Sequence, residues 1–133
     1  MEDKKVISRL QAADKRVTNF EEVEFGYNDK EALKEANRCL QCINPRCMQG
    51  CPVSIHIPEF IKAIREGDLK KAYEVISISS SLPAVCGRVC PQEKQCEAMC
   101  IKGLKGDAIA IGSLERYVAD QAIVNEFNSV KPA

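Results

Sequence analysis

The chain has 133 residues, 45% apolar but only 5% aromatic and without Trp, and its 19 basic side chains balance 19 acidic ones. That length suits one compact domain. Balanced charge with no block of either sign argues against a nucleic-acid partner, and no apolar run approaches the ~20 residues of a membrane helix. The charged start at residues 1–5 leads into an amphipathic segment rather than a signal core, so a cytoplasmic protein is expected.

Residues 1–27 show one short helical stripe and then no sustained period, and read as an N-terminal arm lying on another surface. Asn28 with Glu31 forms a capping-box pattern ahead of Ala32, Leu33, Ala36, Cys39 and Leu40, which predicts a helix with Cys39 and Cys42 at its C-terminal end. Asn44-Pro45 breaks it, and Gly50 with Pro52 predicts irregular backbone from Cys47 through Val53. Pro58 suits the first turn of a helix over 58–66 closed by Gly67, and Asp68 caps another reaching about Ser79. These two form a helical hairpin that folds the chain back. A last amphipathic helix is expected over 111–127, followed by linker composition at 128–133. Only residues 53–57 read as a locally extended piece, so the class is all-α.

Eight cysteines fall into two runs, Cys39-x2-Cys42-x4-Cys47-x3-Cys51-Pro52 and Cys86-x3-Cys90-Pro91-x4-Cys96-x3-Cys100. Short thiolate intervals of this kind wrap iron–sulfur cubes, and in two-cluster ferredoxins the cysteine before proline serves the other cube. Cys39, Cys42 and Cys47 read as three corners of one cluster with Cys100 returning as the fourth. Cys51, Cys90 and Cys96 fall to a second, and spacing nominates Cys86 for its open corner. The expected role is electron transfer. A zinc-stabilised interaction module is the competing class, but zinc ribbons pair two Cys-x2-Cys knuckles and only one occurs here. His56, the single histidine, reads as a packing residue between Ile55 and Ile57, while Arg38, Arg46 and Arg88 stand where they could offset cluster charge. Gly103-Leu104-Lys105-Gly106 lacks a phosphate-loop context and reads as a turn.

Several stretches together carry a resemblance: Glu35-Ala36-x-Arg38-Cys39-Leu40-x-Cys42, Cys47-x3-Cys51-Pro52-Val53, Ile57-Pro58-Glu59-Phe60-Ile61, Gly87-Arg88-Val89-Cys90-Pro91-Gln92-Glu93, Gln95-Cys96-Glu97 and Ile111-Gly112-x-Leu114-Glu115-Arg116. Over about 20–127 the chain resembles the N-terminal iron–sulfur domain of the glutamate synthase small (beta) subunit, the NADH-dependent ferredoxin:NADP oxidoreductase large subunit and dihydropyrimidine dehydrogenase.

The resemblance implies an α-helical ferredoxin domain over 28–127 wrapped around two [4Fe–4S] clusters. It assigns Cys39, Cys42, Cys47 and Cys100 to one and Cys51, Cys90, Cys96 and Glu115 to the other, with Cys86 as the alternative eighth ligand. It further implies a flavoprotein region binding FAD and NAD(P)H after a linker at 128–133, and a large redox subunit as partner. No dinucleotide-binding glycine fingerprint occurs in the 133 residues, so this chain alone is not a complete oxidoreductase.

Overall fold

The computed structural model describes residues 3–127; the linker expected at 128–133 lies outside them. Within that range the chain is mostly helical. Its elements are β1 (Arg9–Leu10), α1 (Ala13–Arg16), β2 (Glu24–Gly26), α2 (Asp29–Arg38), α3 (Arg46–Gly50), α4 (Ile57–Arg65), α5 (Leu69–Ser79), α6 (Pro83–Val89) and α7 (Ile111–Val124). Three 3₁₀ turns, Gln92–Lys94, Glu97–Met99 and Ile101–Leu104, connect α6 to α7. No helix among the described residues is long and apolar enough to cross a membrane.

α2 starts as its capping box requires, with Asn28 Oδ1 accepting from Glu31 N and Glu31 Oε1 from Asn28 N, both at 2.9 Å. The α4–α5 corner is a Schellman turn. Gly67 adopts φ +77°, its N–H reaches Ile64 O and the Asp68 N–H reaches Ala63 O. Asp68 then caps α5 through Lys71 N at 3.1 Å, so one residue closes one helix and opens the next. α4, α5 and α7 bury Phe60, Ile61, Ile76, Leu114 and Val118 almost completely, and α2 adds Ala32 and Ala36. Small alanines let α2 approach closely, which compensates for the lack of aromatic bulk.

Several local expectations are corrected. β1 and β2 form a short antiparallel pair inside the N-terminal segment, where no strand pattern was evident, while residues 53–57 pair with nothing. Residues 46–50 form the single helical turn of α3 instead of irregular backbone. The second cysteine run opens inside a helix, α6, whose Pro83 sits in its first turn, where a missing N–H costs nothing. α7 ends at Val124 rather than Phe127 because Glu126 turns to φ +55° and the Phe127 N–H closes back on Ala122 O.

The N-terminal segment is fastened to the helices by polar contacts. Glu35 is fully buried; Oε1 accepts from Val6 N at 2.9 Å, and Oε2 accepts from Ala110 N at 2.8 Å and Arg38 Nη1 at 2.7 Å. Tyr27 Oη donates to Val6 O, and Asp3 pairs with Arg38 and Lys102. Glu35→Ala takes one partner from Arg38, which keeps Asp3 and Asp107 O, and leaves two N–H groups without theirs; it is expected to cost about 3 kcal/mol in a denaturant melt, with Glu35→Gln costing visibly less. Equal melts for the alanine variant and the parent would contradict this.

Candidate functional site

The first cysteine set assembles at the end of α2. Arg65 of α4 donates to the carbonyls of Ala36 (2.8 Å), Asn37 (3.3 Å) and Cys39, and Lys102 Nζ to that of Arg38 (3.2 Å). Cations on the last carbonyls of a helix are electrostatically favourable, and here they fix where Cys39 leaves α2. Gln41 takes φ +54°, bending the chain between Cys39 and Cys42, and its Nε2 donates to Cys39 Sγ at 3.6 Å. Cys47 comes from α3, and Cys100 from the joint between two 3₁₀ turns, where Ile109 N donates to its Sγ at 3.5 Å. Cys39, Cys42, Cys47 and Cys100 line one cavity of about 240 Å³, otherwise walled largely by apolar groups including Ile57, Ile61, Met99, Ile109 and Ile111. Burial first, and then repulsion from Cys39 and Cys100, pushes the Cys47 thiol up to about 11.

The second set lies where α3, α6 and α7 approach the 3₁₀ turns. Cys51 caps the C-terminus of α3 and Cys90 that of α6, Cys96 precedes the second 3₁₀ turn, and Glu115 projects from α7. Cys90 and Cys96 each lie close enough to Cys51 and Glu115 to feel their charge. Burial, followed by Glu97, raises Cys96 to about 12; burial also raises Cys90, with Cys86 next in importance. Glu115 is only 6% exposed, its Oε1 has no hydrogen-bond partner, and burial lifts its carboxyl to about 7. Cys86 stands one helical turn before Cys90, close enough for the charge of one thiol to weigh on the other.

Burial favours the protonated forms of these groups, and a bound cation would invert that effect. None of the eight cysteines is in a disulfide. Among the described residues no three Cys, His, Asp or Glu side chains converge as a lone metal ion requires, and the first set instead rings a space. Soft sulfur donors around an apolar cavity, with an orphaned buried carboxylate in the neighbouring set, fit an iron–sulfur group.

Other expected residues fall elsewhere. His56 is not packed in the core; its side chain is 43% exposed at the start of α4, with Nδ1 at 3.5 Å from Glu59, while Ile55 and Ile57 do the packing. Arg88 is committed to Glu22 and Asp120, and Arg38 to Glu35 and Asp3, so both serve ion pairs within the fold; Arg46 is exposed at the rim of the first cavity. Glu115 pairs with neither Arg116 nor Lys105, since Arg116 reaches Glu22 and Asp120. Arg65 and Gln92 were missed as positioning residues. Gln92 Nε2 donates to the carbonyls of Cys86 and Gly87, both at 3.2 Å, a tertiary role that no local spacing announces.

Comparison with known proteins agrees with this chemistry. The chain is 43% identical over 112 residues to the glutamate synthase [NADPH] small chain of Azospirillum brasilense, covering 84% of this chain and 23% of that protein. It is 41% identical over 107 residues to the corresponding protein of Halomonas elongata, covering 80% and 23%. With the NAD-dependent dihydropyrimidine dehydrogenase subunit PreT of Escherichia coli it shares 43% identity over 89 residues, 67% of this chain and 22% of that subunit. The chain thus spans less than a quarter of the length of these relatives. Residues 16–127 match the family model described as dihydropyrimidine dehydrogenase domain II, 4Fe-4S cluster, and the chain belongs to that iron–sulfur family.

Proposed function

We propose that the chain is a two-cluster electron-transfer domain, with Cys39, Cys42, Cys47 and Cys100 holding one [4Fe–4S] cluster and Cys51, Cys90, Cys96 and Glu115 the other. When bound, each cluster supplies a site that takes up and releases one electron. The protein's share is placement: largely apolar walls surround the first set, and backbone and side-chain N–H groups reach Cys39 and Cys100. The observation that carries this reading is the division of the cysteines into two sets, one around a common cavity and the other beside a buried carboxylate oxygen with no partner. A zinc-stabilised module finds no comparable support, because the family is an iron–sulfur one.

In the whole protein, residues 28–127 would form the cluster-holding domain, 1–27 an arm over it and 128–133 a linker. Electrons would pass between FAD reduced by NAD(P)H on a flavoprotein region and the redox centres of a partner subunit, in the cytoplasm. The names of the glutamate synthase and dihydropyrimidine dehydrogenase relatives support an oxidoreductase of this kind.

Anaerobic reconstitution tests the assignment. About eight iron and eight sulfide per chain are expected if both cubes fill. Glu115→Ala should fall to about four iron while Cys86→Ser keeps about eight. Full iron in the first variant with halved iron in the second would transfer the eighth ligand to Cys86, and trace iron throughout would end the proposal.

A further inference from the structure

Beside the cavity of the first set lies an open groove of about 530 Å³, lined by Leu40, Ile101, Leu104, Lys102, Lys105 and Asp3. Groove and cavity share Leu40, Ile101 and Lys102, so these side chains form the wall between them. Leu40 directly follows Cys39 and Ile101 directly follows Cys100, which joins two of the four cysteines to the groove through a single peptide bond each. The apolar side chains remain open to solvent: Leu40 is 61% exposed, Ile101 46% and Leu104 72%. An exposed apolar patch rimmed by charge marks a contact surface. Its charges are unequally paired. Asp3, the one acid lining the groove among the described residues, is held by Arg38 and Lys102. Lys105, and Arg46 at the rim of the adjoining cavity, are exposed and have no ion-pair partner among the described residues.

We infer that this groove is where a separate redox protein docks, presenting an acidic rim around its own redox centre, and that one electron crosses there between that centre and the cluster of the first set. The inference rests on the two-cluster reading. One centre loses the electron that the other gains, and no bond or proton changes hands. The two unpaired cations favour an acidic rim on the visitor, because complementary charge steers the encounter and fixes its orientation. Three apolar side chains are too few for a permanent interface with a second copy; weak redox encounters, which bury less than about 1,200 Å², are the class they suit. The course of α7 points the same way. Ile111 at its start lines the first cavity, and the helix carries the chain about 20 Å along its axis to Val124. A flavoprotein region following the linker would set out from that far end, leaving the groove to another molecule.

The test is stopped-flow oxidation of the full-length, cluster-loaded protein, reduced with dithionite and freed of excess reductant, by two one-electron acceptors of opposite charge, acidic plastocyanin and basic cytochrome c. In each reaction a reduced cluster gives up one electron and the copper or haem iron takes it. Lys105→Glu should slow the reaction with plastocyanin severalfold at low ionic strength and speed that with cytochrome c, and high salt should erase both differences. Leu104→Ser should slow both reactions. Lys70→Glu, the same charge change at an exposed position on α5, which lines neither groove nor cavity, should alter neither. Groove variants that hold the parent's iron and match its rates with both acceptors would overturn the inference alone. A parent that sediments as a dimer while Leu104→Ser sediments as a monomer would give the groove to a second copy and also overturn it. Trace iron in the parent removes the two-cluster reading and the inference with it.

Discussion

Stripping iron from the protein with a chelator under anaerobic conditions is expected to speed amide hydrogen exchange at residues 39–54 and 83–108 by on the order of a hundredfold, about 3 kcal/mol of local stability, while α4, α5 and the centre of α7 change far less. The reason lies in where the core sits. Between Cys39 and Ser54 no side chain is fully buried, and between Pro83 and Ala108 only Pro83 and Cys96 are. α3 has five residues, α6 seven, and the three 3₁₀ turns three or four each, all too short to persist unaided. The apolar core lies instead on α2, α4, α5 and α7. On the proposed ligation, iron–sulfur bonds would replace the missing burial in the two cysteine-bearing segments. Exchange unchanged in those segments after complete iron loss would refute this division.

Gly87→Val is expected to remove about half of the bound iron and to cost about 3 kcal/mol in a denaturant melt. A Cβ at Gly87 would fall 2.7 Å from Arg116 N and 2.8 Å from Arg116 Cα, and backbone on α7 cannot step aside as a flexible side chain could. α6 must then move off α7, carrying Cys90 away from Glu115 and spoiling the second site while the first remains. Gly67→Ala is the control. Nothing lies within 4 Å of its Cβ, so only the positive φ penalises it, by about 1 kcal/mol, and iron content should hold. A Gly87→Val protein with its full iron complement would show that the close approach of the two helices does not position the second set.

The parts of the fold that declared themselves in the sequence are those governed by local rules. α2 is announced by Asn28 and Glu31, α4 by Pro58, and α5 by Gly67 and Asp68, and each side-chain cap forms as its chemistry requires. α6 was hidden because Val85, Gly87 and Val89 all depress helix propensity, and its stability comes from contact with α7 instead. α3 was hidden by its length and by Gly50 and Pro52, which read as loop. The β1–β2 pair has too few residues to show an alternation. Spacing alone grouped Cys39, Cys42, Cys47 and Cys100, and these four share a cavity; their ligation is the proposal that reconstitution tests. Glu115 became a candidate only through the family resemblance, because a carboxylate within a helix carries no sign that it will be buried. Arg65 and Gln92 act across the fold on carbonyls from other segments, a pairing that periodicity cannot reveal.

α3 carries Cys47 in its first turn and ends at Cys51, so one strip of backbone reaches both thiol sets. Four residues of helix span about 6 Å along the axis. If both sets are filled, the tunnelling gap between the two redox centres is a covalent spacer, as stiff as the peptide itself. No hinge would open or close that passage, and any gating of current through the protein would have to occur at its outer ends, where separate molecules or domains meet it.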